Sequence, residues 1–322
     1  MALLVLYAHS PELIDGNRSR EFLTIVFGSI SSGDLAVDVF FLLSGYLIMQ
    51  SWDEQPDAWI FLKKRVLRIY PAFLVASVVC AVIVGPLAAD PFSYFASFNI
   101  SAFLAGAFLL KPPVIPPVFQ GLPYAEMNTS MWTIAREFEC YLLVLGAGML
   151  GLLRKRHFWL ILTAVALASA IALKLAHVRL NDLRLATFFC SGACFYIYRS
   201  KIPLRGLPAL ACLGLTCLSM VSWRASEIAL ATLGAYTIFY LATKPSVFFN
   251  KFNRFPDFSY GLYLYAWPVQ QFIVSRVPGI TPSGLFATSA AVAFCAGILS
   301  WYAIEKPALK LKRVRIPTKE LA

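Results

Sequence analysis

The sequence predicts an all-α, polytopic membrane protein, because apolar residues dominate it and recur in runs long enough to cross a bilayer. Of its 322 residues, 59% are hydrophobic and 14% are charged, and the mean hydropathy is +0.69. Soluble globular domains are less apolar than this, and a spanning helix needs about 20 apolar residues. Ten runs are predicted to span, the first apparently incomplete: 1–9, 34–51, 69–89, 131–153, 158–176, 183–199, 206–222, 227–243, 258–277 and 284–303.

The distribution of Lys and Arg predicts the orientation of these helices. Short cytoplasmic loops of membrane proteins carry an excess of basic residues. Alternate loops and the C-terminal tail hold most of the 28 basic residues, in clusters at 63–68, 154–156, 199–205, 244–254 and 306–319. We therefore expect these loops and the C-terminus to be cytoplasmic. The same placement explains the net charge of +11 better than nucleic-acid binding does.

A further apolar segment, 93–110, is long enough to span, but a span here would move every later basic loop to the outside. We therefore predict a re-entrant or surface element within an external loop from 90 to 130. Four prolines exclude a continuous helix in the second half of this loop; they are Pro112, Pro113, Pro116 and Pro117. We expect one membrane domain over 1–322, with no appended soluble domain.

The seven cysteines all lie in apolar segments. They are predicted to be small buried residues rather than disulfides. Cys190 and Cys194 are one helical turn apart, but no further Cys or His lies near them in the sequence. Two ligands alone make a weak metal signal, so no metal site is predicted.

Ionisable side chains inside the apolar runs need an explanation, because each costs about 2.5–3.5 kcal/mol at the centre of a spanning helix. They are His9, Asp34, Asp38, Arg136, Glu137 and Glu139, and all are predicted to lie toward the outer half of the membrane. An imidazole beside carboxylates is the minimum for general-base chemistry on a hydroxyl. Two structural explanations remain open: His9 as an ordinary interfacial residue, and Asp38 and Glu137 as partners of Arg136.

A basic cluster, Lys63, Lys64, Arg65 and Arg68, precedes the third apolar run on the predicted cytoplasmic side. By itself it is explained as a topology signal. Arg65 and Arg68, however, are three residues apart and share a helix face, so they can present two guanidinium groups to a phosphate-bearing ligand.

Six strings, in order along the chain, resemble motifs of the acyltransferase-3 family of bacterial integral-membrane acyltransferases. They are ALLVLYAHS at 2–10, DVFFLLSGYLI at 38–48, KKRVLRIYP at 63–71, SMWTIAREFECYLL at 130–143, SYGLYLYAWPVQQF at 259–272 and WYAIEKPALKLK at 301–312. His9 takes the histidine position of the family's Arg-x10-His motif, whereas the arginine, eleven positions earlier, would fall before Met1. We therefore expect an incomplete first helix in the chain as written. Ala266 stands where some members have a histidine.

The resemblance implies about ten helices in a bacterial inner membrane. It also implies transfer of an acyl group, most often acetyl, from cytoplasmic acetyl-CoA or another acyl-CoA to a hydroxyl of a glycan or lipid-linked sugar. In this interpretation His9 is the base and Glu137 or Asp38 orients its imidazole. Arg65 and Arg68, with Lys63 and Lys64, would hold the phosphates of coenzyme A.

Tyrosine and tryptophan side chains of the matched strings, among them Trp132, Tyr263 and Trp267, are candidates to stack on sugar rings, although packing within the bundle explains most of them. The alternative to an enzyme is a secondary transporter in which His9, Asp38 and Glu137 form a proton relay. The acceptor, the acyl chain and the oligomeric state are not determined by the sequence.

Overall fold

The computed structural model describes residues 1–178, 180–243 and 256–312, and within these ranges it contains helices and no strands. The helices are α1 (Ala2–Asp15), α2 (Phe22–Phe27), α3 (Ser32–Glu54), α4 (Ala58–Ala88), α5 (Pro91–Ala96), α6 (Ile100–Phe108), α7 (Trp132–Met149), α8 (Arg156–Leu175), α9 (Asn181–Tyr198), α10 (Gly206–Ser219), α11 (Ser226–Ala229, continued through a π turn by Ala235–Thr243), α12 (Ser259–Arg276) and α13 (Pro282–Lys310).

The predicted all-helical class is confirmed for the described residues. Each of the ten predicted runs coincides with a helix, and α3, α4, α8 and α13 are long and apolar enough to cross a membrane by length and composition. The number of spans stays a prediction. The first helix extends well past the predicted run 1–9, because α1 continues through Pro11 to Asp15 and ends at Gly16 in the left-handed conformation, with φ 75°. His9 therefore lies inside α1 rather than at its end.

The doubtful segment 93–110 forms no continuous spanning helix. It is divided between α5 and α6, and the nine residues of α6 rise only about 14 Å. The hydroxyl of Tyr70 in α4 donates to the carbonyl of Phe108 at 2.9 Å. The C-terminal end of α6 therefore lies beside the middle of α4, and the placement of this segment as a re-entrant or surface element stays a prediction.

The central contact of the bundle joins α3 and α9 at two glycines. A Cβ added to Gly45 would lie 2.0 Å from the carbonyl oxygen of Phe189, and one added to Gly192 would lie 1.9 Å from that of Leu42. Only glycine allows the backbones to approach this closely. The two helices run in the same direction, because Arg184 contacts Asp38 near their N-termini while Tyr196 bonds to Asp53 near their C-termini.

The polar side chains are sorted to two ends of this bundle. Asp34 lies in the first turn of α3 and Ser51, which accepts a hydrogen bond from Arg65, lies near its end. Seventeen residues of helix separate them, about 25 Å along the axis. His9 and the basic cluster of α4 therefore belong to opposite ends.

Part of the loop-charge prediction concerns residues that lie outside the described ranges. They are Arg179, Lys244, Lys251, Arg254, Arg313, Arg315 and Lys319. The predicted cytoplasmic placement of the C-terminal tail falls among them.

Candidate active site

His9 is held by a carboxylate from its own helix. Its Nδ1 atom lies 2.8 Å from Oε2 of Glu12, three residues later and on the same face of α1. The imidazole is 18% exposed, and its edge packs against the ring of Trp267 at 4.8 Å between centroids. With Nδ1–H bonded to a carboxylate, Nε2 keeps a free lone pair that can accept a proton.

Glu12 is the centre of a larger network that orients this imidazole. It is 1% exposed, and its other oxygen, Oε1, accepts from Nε of Arg18 at 2.7 Å and from the hydroxyl of Tyr124 at 2.5 Å. A buried carboxylate with three donors is well compensated for its loss of water. The network therefore fixes both the position and the tautomer of His9.

Tyr124 reaches Glu12 because the end of the long loop packs onto α12. Gln271 donates from Nε2 to the carbonyl of Tyr124 at 2.7 Å, and Asn128 donates from Nδ2 to the carbonyl of Leu264 at 2.8 Å. Both amide side chains are buried. The end of the loop that follows α6 and the helix α12 are in this way tied to the His9 end of the bundle.

The structure does not bring Asp38 or Glu137 to His9, which corrects the expectation that one of them orients the imidazole. Asp38 is fully buried and lies 3.5 Å from Nε of Arg184. Glu137 accepts a hydrogen bond from the hydroxyl of Tyr141, one turn further along α7. The physical reason is that Glu12 already occupies the face of α1 beside His9.

Arg136 has its own partners as well. Its Nη1 donates to the two carboxylate oxygens of Glu139 at 2.7 and 2.8 Å, and its Nε lies 3.1 Å from Asp182. The alternative that Asp38 and Glu137 are partners of Arg136 is therefore wrong.

At the opposite end, the basic cluster of α4 is arranged as the spacing predicts, with both guanidinium groups directed into the protein. Arg65 donates to the hydroxyl of Ser51 at 2.8 Å and lies over the ring of Tyr141. Arg68 bonds to Asp257 at 2.6 Å and lies 3.7 Å from Glu305.

Three lysines and a loop carboxylate complete this end. Lys64 donates to Gln55 at 2.7 Å, while Lys63 is half-buried on the same turn. Burial, and then the neighbouring Arg65, Arg68 and Lys64, lowers the pKa of Lys312 to about 8. Burial acts to raise the pKa of Asp257, but Arg68 holds it below its ordinary value. A group of like charges this close is typical of a site for a polyanion.

Two cavities lie between the ends. The His9 cavity, of about 510 Å³, is lined by His9, Glu12 and Arg18 and by polar residues of α3, α8 and α9. The Arg68 cavity, of about 300 Å³, is lined by Arg68, Tyr260 and Glu137. Four residues line both cavities: Val5, Val37, Thr133 and Tyr263. The cavities therefore adjoin, with Glu137 on the Arg68 side of the boundary.

Four residues of these two sites are not predicted from the sequence. Glu12 is detectable, because a carboxylate three residues after His9 shares its helix face. Tyr124, Arg18 and Lys312 reach the sites only through tertiary packing. In the described part of the chain, no group of three or more His, Cys, Asp or Glu side chains is placed to hold a metal ion.

Comparison with known proteins decides the family. A family described as "Acyltransferase domain" matches residues 1–304. The chain belongs to this acyltransferase family. It is 30% identical over 333 aligned positions to a protein of Shigella phage Sf6 named "O-acetyl transferase", covering 95% of this chain and 92% of that protein.

A second relative matches this acyltransferase over a shorter stretch. It is "Acyltransferase MdmB" of Streptomyces mycarofaciens, 31% identical over 113 residues, which is 34% of this chain and 27% of that protein. No solved structure matches the chain. Membership in the family makes the chain an enzyme that transfers acyl groups, and it decides against the transporter interpretation.

Proposed function

We propose that this acyltransferase moves an acetyl group from cytoplasmic acetyl-CoA, or another acyl-CoA, to a hydroxyl of a cell-surface or secreted polysaccharide or a lipid-linked sugar. The observation that carries the proposal is the pair of adjoining cavities. One is lined by Arg68 of α4 and the other by His9 and Glu12, so a donor and an acceptor that enter from opposite ends could meet between them.

The donor end suits the phosphates of coenzyme A. Arg65 and Arg68 supply planar, charge-assisted donors, and Lys63, Lys64 and Lys312 add positive charge. In this proposal a donor phosphate replaces Asp257 at Arg68. The Arg68 cavity is lined mostly by apolar and aromatic side chains, which suits the uncharged arm and the thioester of the donor.

At the other end, His9 Nε2 takes the proton of the attacking hydroxyl. The oxygen forms a bond to the thioester carbonyl carbon, the carbon–sulfur bond breaks, and coenzyme A leaves as a thiol or thiolate toward the cytoplasm. Glu12 stabilises the imidazolium that forms during the step. This proposal gives Glu12 the role that the sequence suggested for Asp38 or Glu137.

Glu137 and Asp38 keep proposed roles away from the imidazole. Glu137 lines the Arg68 cavity and accepts from Tyr141, which supports a role beside the proposed path of the donor. Asp38 lies beneath Arg184 and balances its charge inside the bundle. We propose that both are positioning residues.

The membrane arrangement is also part of the proposal. We infer a single membrane domain over 1–322 with about ten spanning helices in a bacterial inner membrane, with the basic loops and the C-terminus in the cytoplasm. The loop-charge asymmetry supports this orientation, and the separation of the two polar ends along α3 supports sites on opposite sides of the membrane.

The test is acetyl transfer by the purified protein in lipid nanodiscs, with radiolabelled acetyl-CoA and envelope polysaccharide as acceptor. We expect His9→Ala to abolish transfer and Arg68→Ala to raise the KM for acetyl-CoA at least about tenfold, as loss of a hydrogen bond to a charged group does. His157→Ala is the matched control, because His157 is exposed at the start of α8. Transfer by His9→Ala at the parent rate would refute the proposal.

A further inference from the structure

A second polar cluster lines the His9 cavity, and the proposed proton transfer does not use it. Arg184 of α9 bonds to Asp34 of α3 at 2.9 Å. Lys174 of α8 pairs with Glu227 at 2.9 Å and donates to the carbonyl of Trp223 at 2.6 Å. All four charged side chains face the cavity.

The two pairs differ in how fully their atoms are bonded. The ammonium group of Lys174 contacts a carboxylate and a carbonyl oxygen, and the residue is 6% exposed. Arg184 is also nearly buried, with its side chain 12% exposed, yet its Nε makes no hydrogen bond within the described part of the protein. It lies 3.5 Å from Asp38, whose two oxygens are likewise without a hydrogen bond there. This Nε is itself buried against Asp38, so the capacity left for a ligand belongs to the other N–H groups of the guanidinium, of which one bonds to Asp34.

This pair stands close to His9. A Cβ added to Gly33 would lie 3.1 Å from Cβ of Ala8. Asp34 follows Gly33 and His9 follows Ala8, so the two side chains start from adjoining points on α3 and α1. Both line the same cavity. A molecule whose hydroxyl reaches His9 can therefore contact Asp34 with a neighbouring group.

The charges of the cavity indicate which kind of molecule fits. Among its described lining residues, three cations face four carboxylates: Arg18, Lys174 and Arg184 against Glu12, Glu21, Asp34 and Glu227. This wall has no positive excess with which to attract an anion. Paired carboxylate and guanidinium groups instead accept from and donate to hydroxyls, and Trp132 adds an aromatic surface to the same cavity.

We propose that Asp34 and Arg184 form an acceptor subsite that binds the hydroxyls of an uncharged sugar unit beside the hydroxyl to be acylated. This inference deepens the proposed function and rests on it. The carboxylate of Asp34 accepts from one sugar hydroxyl, and Arg184 donates to a second through its planar fork.

The test compares acceptors that differ by one charge. Neutral methyl hexosides of the gluco, galacto and manno series are paired with the corresponding methyl uronosides, and acetyl transfer from acetyl-CoA is measured for each. We expect kcat/KM for at least one neutral hexoside to exceed that for its uronoside by about tenfold or more, as expected for burying an unpaired carboxylate. Equal or better use of the uronosides overturns the proposal, as does transfer to none of the neutral sugars.

Two variants test the residues. Asp34→Asn and Arg184→Lys should each raise the acceptor KM by about 10- to 100-fold, the range for losing a hydrogen bond to a charged group, with the KM for acetyl-CoA within about twofold of the parent. Arg184→Lys keeps the positive charge beside Asp38, so an increase in its acceptor KM is explained by the loss of the planar guanidinium donors rather than by unfolding.

Ser31→Ala is the matched control, because Asp34 also forms a capping box with Ser31 at the start of α3. We expect Ser31→Ala to lower the unfolding temperature, as loss of a helix cap does, without the change in acceptor KM. If Ser31→Ala raises the acceptor KM as much, Asp34 acts only through its helix cap and the subsite is refuted. If His9→Ala and Arg68→Ala leave transfer intact, it is the proposed function that fails.

Discussion

Replacing Glu12 with glutamine tests the His9 network most directly. The side chain keeps its size and its place on α1 but loses the negative charge that accepts from His9, Arg18 and Tyr124. Since Glu12 is 1% exposed, water cannot replace the lost charge beside the imidazole. We expect slower acetyl transfer with little change in the KM for acetyl-CoA, because the cations of the donor site, on α4, lie at the opposite end of the bundle.

The size of the effect follows from the contacts. A hydrogen bond to a charged partner contributes about 1.5–3 kcal/mol, and Glu12 makes one to the imidazolium that forms in the transition state. Loss of that amount lowers kcat about 10- to 150-fold. Arg18 is 57% exposed and can turn to solvent, so its ion pair contributes only about 0–1 kcal/mol.

The assay is the initial rate of acetyl transfer at saturating acceptor, with thermal unfolding in detergent as a check on folding. Arg18→Gln is the comparison variant, because it removes one partner of Glu12 and leaves the bond to His9. We expect it to retain at least about one fifth of the parent rate. A Glu12→Gln protein that transfers acetyl within about twofold of the parent rate would refute the assignment of Glu12 as the orienting carboxylate.

Three further predictions follow from the packing and the charges. Because the pKa of Lys312 is lowered to about 8, the lysine is charged below that pH and neutral above it. We therefore expect kcat/KM for acetyl-CoA to fall as pH rises through about 8, and we expect Lys312→Met to remove this fall and Lys312→Arg to move it to higher pH. An unchanged pH profile in both variants would exclude Lys312 from the donor site. Gly192→Ala should lower the stability by about 1–3 kcal/mol or more, since its Cβ would lie 1.9 Å from a backbone oxygen, whereas Gly146→Ala, whose Cβ meets nothing within 4 Å, should leave the unfolding temperature unchanged or higher. In a cysteine-free background, a cysteine at His157 should react only with a membrane-permeant reagent and one at Lys111 also with an impermeant reagent; the reverse pattern would invert the proposed topology.

Local patterns in the sequence were sufficient for much of the fold. Apolar runs predicted the helices because burial in lipid or in the bundle demands a continuous apolar stretch wherever it occurs. The loop charges predicted that 93–110 is not a spanning helix, and in the structure this segment is divided between α5 and α6. Helix ends were less well predicted, since α1 continues past His9 with polar residues that find partners in the folded protein.

The same logic separates the two candidate ends. Arg65 and Arg68 were predicted as a pair because residues three apart on one helix always share a face. The partner of His9 was predicted wrongly, although Glu12 is also three residues away. The apolar surroundings of Asp38 and Glu137 favour them as partners of His9 in the sequence. Only the contact between Nδ1 of His9 and Oε2 of Glu12 identifies Glu12 as the partner.

By itself, the sequence determined the helical class, the sorting of charge to one set of loops, and the identities of His9, Arg65 and Arg68 as candidate site residues, because each depends on composition or on spacing within one helix. Tertiary structure alone decided that Tyr124, 112 residues from Glu12, completes the His9 network and that Arg184, 150 residues from Asp34, faces the same cavity. Such pairs depend on how closely helices approach, and at Gly45 and Gly192 that distance is set by backbone atoms in contact. No local pattern along the chain specifies which helix will be the neighbour.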